Sequence, residues 1–218
     1  MSGDDSVPIA KKVIAMFYDK SCFPFVKELE GNWKTIRDEF DKWPTRFATW
    51  YGEEKWKTSV LYDGLDNQTI KKNEENARLF PRTVQIIDSI PGVTSAAASR
   101  MEPGKWILPH RDNCCFVRCH LGLVVPPGCG IRVGGQVRTW EEGKCLILNA
   151  NSVHSAWNTS DRDRTVLIVD VRPEALGFPL EQAIEPPSFG ARIAAPIQFA
   201  HYLMCNVVRG TSGAVVPH

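Results

Sequence analysis

CFVRCHLGLVVPPGCGIRVGGQVRTWEEGKCLILNA, residues 115–150, consists of short runs rich in branched side chains, cut by PPGCG, VGGQ and EEGK. Branched and aromatic residues suit a pleated, half-buried backbone, and clustered proline and glycine reverse the chain. The same texture extends outward over residues 82–172. TVQIIDSI (83–90) and TSAAASRM (94–101) read as strands before the stretch, and TVLIVDVR (165–172) as one after it, with PGV and EPGK as turns. Short strands at this spacing predict a sandwich or barrel. No GxxxxGK and no strand-coupled GxGxxG occurs, so a phosphate-cradling loop is not indicated.

The flanks change period. Val13, Ile14 and Phe17, then Phe25, Leu29, Trp33, Ile36 and Phe40, recur at helical spacing, which predicts two or three amphipathic helices within residues 1–55. Pro24 and Pro44 punctuate them. The polar stretch GLDNQTIKKNEENARLFPRT (64–83) fits a short helix followed by a surface loop. After Arg172, residues 173–218 form an extension whose IQFAHYLMCNVVRG segment reads as a further helix. A chain of 218 residues with 43% apolar content fits one domain, 1–218, with its β core at 82–172.

A formal charge of +1, with Lys71 and Lys72 offset at once by Glu74 and Glu75, predicts no electrostatic footprint for nucleic acid or a membrane. The start MSGDDSVPIAKK is too polar for a signal peptide, so a cytoplasmic location is expected. The seven cysteines are odd in number and lack CxxC spacing, as expected of free thiols in a reducing compartment. Cys114, Cys115 and Cys119 are expected to line or back a pocket near His110.

Among five histidines, His110 in WILPHRDN and His154 in NANSVHSAWN fall at strand ends. Pro109 is expected to stop the strand before His110. Asp112 lies two residues beyond His110, so on an extended backbone the two point to the same side. Two imidazoles and a carboxylate on one face of an octahedron leave three positions open, the arrangement of non-haem ferrous oxygenases. An HxD pair alone recurs by chance, and a lone strand-end histidine is commonly an ordinary polar group. Arg164, ten residues after His154, adds a cation whose planar fork suits the distal carboxylate of a keto-diacid. Read alone, it belongs to the charged turn SDRDR.

The block ASRMEPGKWILPHRDN, VRCHLGLVVPPGCGIRVGGQVRTWEEGK, His154 followed by Arg164, and VDV resembles the aspartyl/asparaginyl β-hydroxylases, which are Fe(II)- and 2-oxoglutarate-dependent oxygenases. The resemblance runs from about Trp56 to Arg172. It implies a mainly β fold with flanking helices, the double-stranded β-helix or jelly roll of cupins. It further implies Fe(2+), 2-oxoglutarate and O2 as metal and cosubstrates, with His110 and His154 as iron ligands and Arg164 on the distal carboxylate. Ser99 matches a position that assists that carboxylate, and Arg118 and His120 match positions contacting cosubstrate or substrate carboxylates. The vertebrate enzyme has glycine where Asp112 stands here, so a full His110–Asp112–His154 triad is expected from the residues rather than from the family. The expected enzyme is a dioxygenase hydroxylating a C–H bond of an amino-acid-like or other small-molecule substrate, Asp or Asn β-carbons included. Desaturation or cyclisation by the same chemistry stays open, as does a non-catalytic cupin-type binding module. Trp106, Trp140 and Trp157 are candidate pocket walls.

Overall fold

Alternation along the strands sets the architecture. In the computed structural model, which describes residues 15–42, 48–49, 56–64, 70–112 and 116–177, the first elements are β1 (Phe17–Tyr18), α1 (Phe25–Gly31), α2 (Trp33–Asp41), β2 (Ala48–Thr49), β3 (Trp56–Asp63), β4 (Lys71–Lys72), α3 (Glu74–Ala77) and α4 (Pro81–Asp88). There follow β5 (Val93–Met101), β6 (Lys105–His110), β7 (Val117–Val124), β8 (Cys129–Val133), β9 (Gln136–Arg138), β10 (Cys145–Leu148), β11 (His154–Asn158) and β12 (Arg164–Val171). A large antiparallel sheet has the order β1-β10-β7-β12-β5-β3-β2, with β4 beside β3. A small sheet, β6-β11-β8-β9, lies against it and completes the jelly roll.

The central strands of the large sheet are buried on both faces. Val117, Cys119, Leu121 and Leu123 of β7, with Leu167, Val169 and Val171 of β12, pack against the helical Leu29, Ile36, Phe40, Val84 and Ile87. The other parity faces the small sheet: Val166, Met101 and Leu148 meet Ile131, Val133 and Ala156. Strands covered on both sides read as nearly continuous apolar runs. The interruptions in β7 and β12, namely Arg118, His120, Arg164 and Asp170, all fall on the inner face: each strand's pair is an even step apart, Arg118 lies opposite Asp170, and Arg164 lies opposite the inward Met101.

Three expectations need correction. TVQIIDSI is not a strand but α4 and the turn after it. Pro81 begins the helix, and Glu39 of α2 supplies a cap from a distance: its carboxylate accepts the Arg82 and Thr83 backbone N–H groups at 2.8 Å each and the Thr83 hydroxyl at 2.7 Å. A carboxylate there satisfies first-turn donors and opposes the positive end of the helix dipole. WKTSVLYD (56–63), ahead of the expected core, is β3 and pairs with β5. Pro109 does not stop its strand: β6 is an edge strand, and Leu108 and Pro109 bulge opposite the single residue Ser155. Edge strands and bulges tolerate proline because no ladder bond is lost there.

The N-terminal helical expectation holds for α1 and α2, with Phe17 placed in a short strand beside β10. Val13, Ile14, Pro44 and the segment 197–210 lie outside the described residues, as do Cys114 and Cys115. Cys119 backs the sheet rather than the interior, facing the helices, where burial raises its thiol pKa well above the ordinary value. No helix among the described residues is long and apolar enough to cross a membrane.

Candidate metal centre

His110 ends β6, His154 begins β11, and the two are directly paired across the antiparallel ladder. Their ring centroids are 4.2 Å apart. Asp112 follows β6 and is fixed by its own backbone N–H, which donates to the Ala150 carbonyl at 3.0 Å. Ligand atoms of His110, Asp112 and His154 all lie within 4.8 Å of one another. The strand pairing thus gathers residues that the chain separates by more than forty positions.

The imidazoles are oriented alike. His110 Nδ1 lies 2.8 Å from the Leu108 carbonyl, and His154 Nδ1 lies 3.0 Å from the Ser152 carbonyl. A carbonyl only accepts, so Nδ1 carries the proton in both rings and the lone pair sits on Nε2. Such bonds fix tautomer and ring direction in metal-ligating histidines. Burial, reinforced by the neighbouring His110 and Arg118, pushes His154 down to about 4 despite the opposing pull of Asp112. It is a neutral base at physiological pH.

Asp112 stays ionised. Partial burial works against its charge, but Arg118, His154 and His110 together lower its pKa. Arg118 donates to Asp112 from one terminal nitrogen and forks onto Asp170 with Nε and the other, both at 2.8 Å. Asp170 is 1% exposed and sits in register with Arg118 on the adjoining strand. Burial raises its pKa against the opposing effect of Arg118. One guanidinium thereby bridges two carboxylates, only one of which borders the triad.

Further along the same inner face lies a second polar group. The Arg164 guanidinium stacks on the Trp140 ring at 4.7 Å, and His120 stacks beside the same indole at 5.9 Å. The Trp140 N–H donates to His120 Nδ1 at 3.2 Å, which leaves the His120 proton on Nε2. His120 Nε2 and Arg164 Nε are both buried without a hydrogen-bond partner among the described residues. Arg164 is 2% exposed and has no paired carboxylate among the described residues, and burial pushes its pKa down to about 10 from 12.5. Burial likewise holds His120 well below 6.5, with Arg118 and Arg164 adding to the effect. A buried cation and a buried donor, both unsatisfied, form a receptor for an anion.

Ser99, on β5, shares this face and accepts the Trp56 indole N–H at 2.7 Å, which leaves its hydroxyl proton to donate. Thr58, opposite Ser99 in register, has a buried Oγ1 without a hydrogen-bond partner among the described residues. Trp140 walls the interior as expected. Trp106 and Trp157 do not: they stack on each other at 5.6 Å, on the outer face of the small sheet. A cleft of about 640 Å³ beside β1 and β10 touches Trp140 and Leu146 but none of the triad residues. Sequence reading missed Asp170, Trp56 and Thr58. The signal for Asp170 was an acidic residue within a strand apolar on both parities.

A sequence model of the aspartyl/asparaginyl beta-hydroxylases matches residues 30–173. The ornithine lipid ester-linked acyl 2-hydroxylase of Rhizobium tropici is 37% identical over 175 residues, covering 72% of this chain and 60% of that protein. The human aspartyl/asparaginyl beta-hydroxylase is 34% identical over 161 residues, covering 67% of this chain and 21% of the human protein. The match thus spans less than two thirds of the length of either relative, 60% of the Rhizobium protein and 21% of the human one. A solved 2OG-Fe(II) oxygenase family oxidoreductase from Burkholderia pseudomallei overlays with a TM-score of 0.46 at 11% identity, over 62% of this chain and 77% of that one.

Proposed function

Since the chain belongs to the aspartyl/asparaginyl β-hydroxylase family, we propose that it is an Fe(II)- and 2-oxoglutarate-dependent dioxygenase that hydroxylates a C–H bond. The observation that carries this reading is Arg164, a buried guanidinium without an acidic partner among the described residues, on the inner face of the jelly roll that also holds the triad. A non-catalytic metal-binding cupin has no use for it.

The donor set fits a ferrous ion: two neutral Nε2 lone pairs and one carboxylate leave positions open for a chelating keto acid. His110, Asp112 and His154 would hold the metal, and Asp112 has its second oxygen engaged by Arg118. Arg164 and the Ser99 hydroxyl would hold the distal carboxylate of 2-oxoglutarate, with the His120 Nε2 proton turned toward the same anion. When bound, the iron supplies the oxidation, in which substrate R–H, 2-oxoglutarate and O2 become R–OH, succinate and CO2. The chain's own contribution is orientation and exclusion of water: Trp140 covers the guanidinium, and Val166, Met101 and Leu148 line the interior around it.

For the substrate, the reading favours an acyl chain of a polar lipid over an Asp or Asn side chain. Two observations support this. The Rhizobium relative acts, by its name, on an acyl group. Arg118, the other inner-face cation, is already neutralised by Asp112 and Asp170, so an acidic substrate would meet no uncompensated charge there. The test is to incubate the iron-loaded protein with 2-oxoglutarate, O2 and either acylated amino-acid lipids or Asp-containing peptides. Mass spectrometry should show one added oxygen on the acyl chain. Loss of two hydrogens would mean desaturation or ring closure, and oxygen on the peptide alone would reverse the substrate assignment. Anaerobic ferrous protein with 2-oxoglutarate should also show the visible charge-transfer band of a chelated keto acid, and no band in metal-loaded protein would remove the cosubstrate.

A further inference from the structure

The loop between β10 and β11, residues 149–153, holds two of the three triad residues. The Ala150 carbonyl accepts the Asp112 backbone N–H at 3.0 Å, and the Ser152 carbonyl accepts from His154 Nδ1 at 3.0 Å. Whatever fixes these two carbonyls therefore fixes two ligands. His110 is positioned separately, by the Leu108 carbonyl and by its pairing with His154.

One buried side chain shapes the loop. Asn149 is 1% exposed; its Oδ1 accepts the Asn151 backbone N–H at 3.0 Å, and its own carbonyl accepts the Ser152 N–H at 3.2 Å. An asparagine oxygen that accepts from two residues on closes an Asx-turn, and a carbonyl bond to three residues on closes a β-turn around it. Both turns enclose Ala150. Because Asn149 takes up the Asn151 and Ser152 N–H groups, the Ala150 carbonyl is left for Asp112.

The same residue ties the turn to the rest of the fold. Its Nδ2 donates to the Ala15 carbonyl at 3.4 Å, and its backbone N–H donates to the Met16 carbonyl at 3.0 Å, just ahead of β1. At the other end of the loop, the Val153 carbonyl accepts the Gly134 N–H from the β8–β9 turn at 2.8 Å. Without the Asn149 oxygen, the Asn151 N–H loses this acceptor in a residue only 6% exposed, and the backbone must shift to recover one. That shift would carry the Ala150 and Ser152 carbonyls with it.

We propose that Asn149 is a positioning residue of the metal centre: its amide oxygen fixes the turn whose carbonyls aim Asp112 and His154 at a common ion. The proposal rests on the reading of the triad as a metal centre. Groups that orient ligands without touching the metal govern affinity by about ten- to a hundredfold. Asn149 acts through two ligands at once.

The test uses three variants of the full chain, each titrated calorimetrically with Mn(II), with Co(II) absorption reporting ligand geometry. Asn149→Leu keeps a similar volume and removes the acceptor. Its Mn(II) dissociation constant should rise by roughly tenfold or more, and its Co(II) bands should shift or change intensity. Asn149→Asp keeps an acceptor in place; because its charge alone attracts a cation, the spectrum decides here, and the natural Co(II) bands should return. Gly130→Ala, which crowds the Trp157 ring away from the loop, should melt lower yet bind Mn(II) as the natural protein does. Natural affinity and spectrum in Asn149→Leu would overturn the proposal. So would an Asn149→Asp spectrum like that of the leucine variant, or an equal loss of affinity in Gly130→Ala, which would make the effect one of general stability. Should Asn149→Leu fail to fold, hydrogen exchange of the unaltered protein replaces it: amides of residues 149–152 should exchange more slowly with Mn(II) bound, and unchanged exchange there would overturn the proposal. An unaltered protein that binds no Mn(II) would instead bring down the metal-centre reading, and this proposal with it.

Discussion

Replacing Arg164 by methionine should stabilise the ligand-free protein and nearly abolish its response to 2-oxoglutarate. The guanidinium is 2% exposed, and burial brings its pKa from 12.5 to about 10. At about 1.4 kcal/mol per pKa unit, holding that charge without an acidic partner costs on the order of 3 kcal/mol. Its contact with the Trp140 ring at 4.7 Å offsets about 1–2 kcal/mol. Methionine fills a similar volume without a charge, so the apo-protein should gain on the order of 1–2 kcal/mol, or about 2–8 °C in melting temperature for a chain of this size. Binding runs the other way. Loss of two charge-assisted hydrogen bonds to a carboxylate costs about 3 kcal/mol, a weakening of roughly hundredfold. With redox-inert Mn(II) bound and 2-oxoglutarate at about a hundred times its Kd, the natural protein should gain about 2.7 kcal/mol, and the variant only about 0.4 kcal/mol at the same concentration. Thermal melts of both proteins, with and without cosubstrate, read both signs at once. A variant that melts several degrees lower without ligand, or one that keeps the full ligand-induced shift, would refute the reasoning.

His154→Ala should reduce divalent-metal binding by at least about a hundredfold, since it removes a buried neutral ligand; calorimetric titration with Mn(II) checks this, and natural affinity would take His154 out of the site. Asp170→Asn should release one arm of the Arg118 fork and let the guanidinium bear harder on Asp112. Metal affinity should then fall by roughly tenfold, and a stability loss with unchanged affinity would make Asp170 purely structural. Gly130→Ala places a methyl group 2.2 Å from the Trp157 ring and should cost about 1–3 kcal/mol in chemical denaturation. A neutral outcome would show that Trp157 moves freely off the sheet.

Much of the β region was legible because alternation is local. The run VRCHLGLV needs no partner to show which residues share a face. Helix α4 was not legible for the opposite reason. Its residues Thr83, Val84, Ile86 and Ile87 favour strands, and what caps the helix is Glu39, more than forty positions away. No local window contains that contact. The triad was legible as a set of residue types, yet its closeness depends on β6 and β11 pairing so that His110 meets His154. Two features were missed although strand parity contained them. Trp157 is three residues after the inward-facing His154 and so must face outward. Asp170 is three even steps from Arg164 and so must face inward, where a carboxylate requires a cation.

The inner-face charges explain why metal and dicarboxylate belong together in the proposed site. Arg118 between Asp112 and Asp170 leaves one net negative charge, and Arg164 supplies one positive charge, so the protein's own inner-face charges balance. A divalent ion alone would leave that interior doubly positive, at a cost that low polarisability makes steep. A dicarboxylate alone would leave it doubly negative, with Asp112 facing the incoming anion. Only the two together restore neutrality, with one carboxylate at the metal and the other on Arg164. Asp112 is the residue on which this balance turns. Were it glycine, Arg118 and Asp170 would cancel, and metal plus 2-oxoglutarate would leave one excess positive charge, suited to an acidic substrate. With aspartate present that charge would already be met from within, and the space beside the proposed metal would suit an uncharged chain.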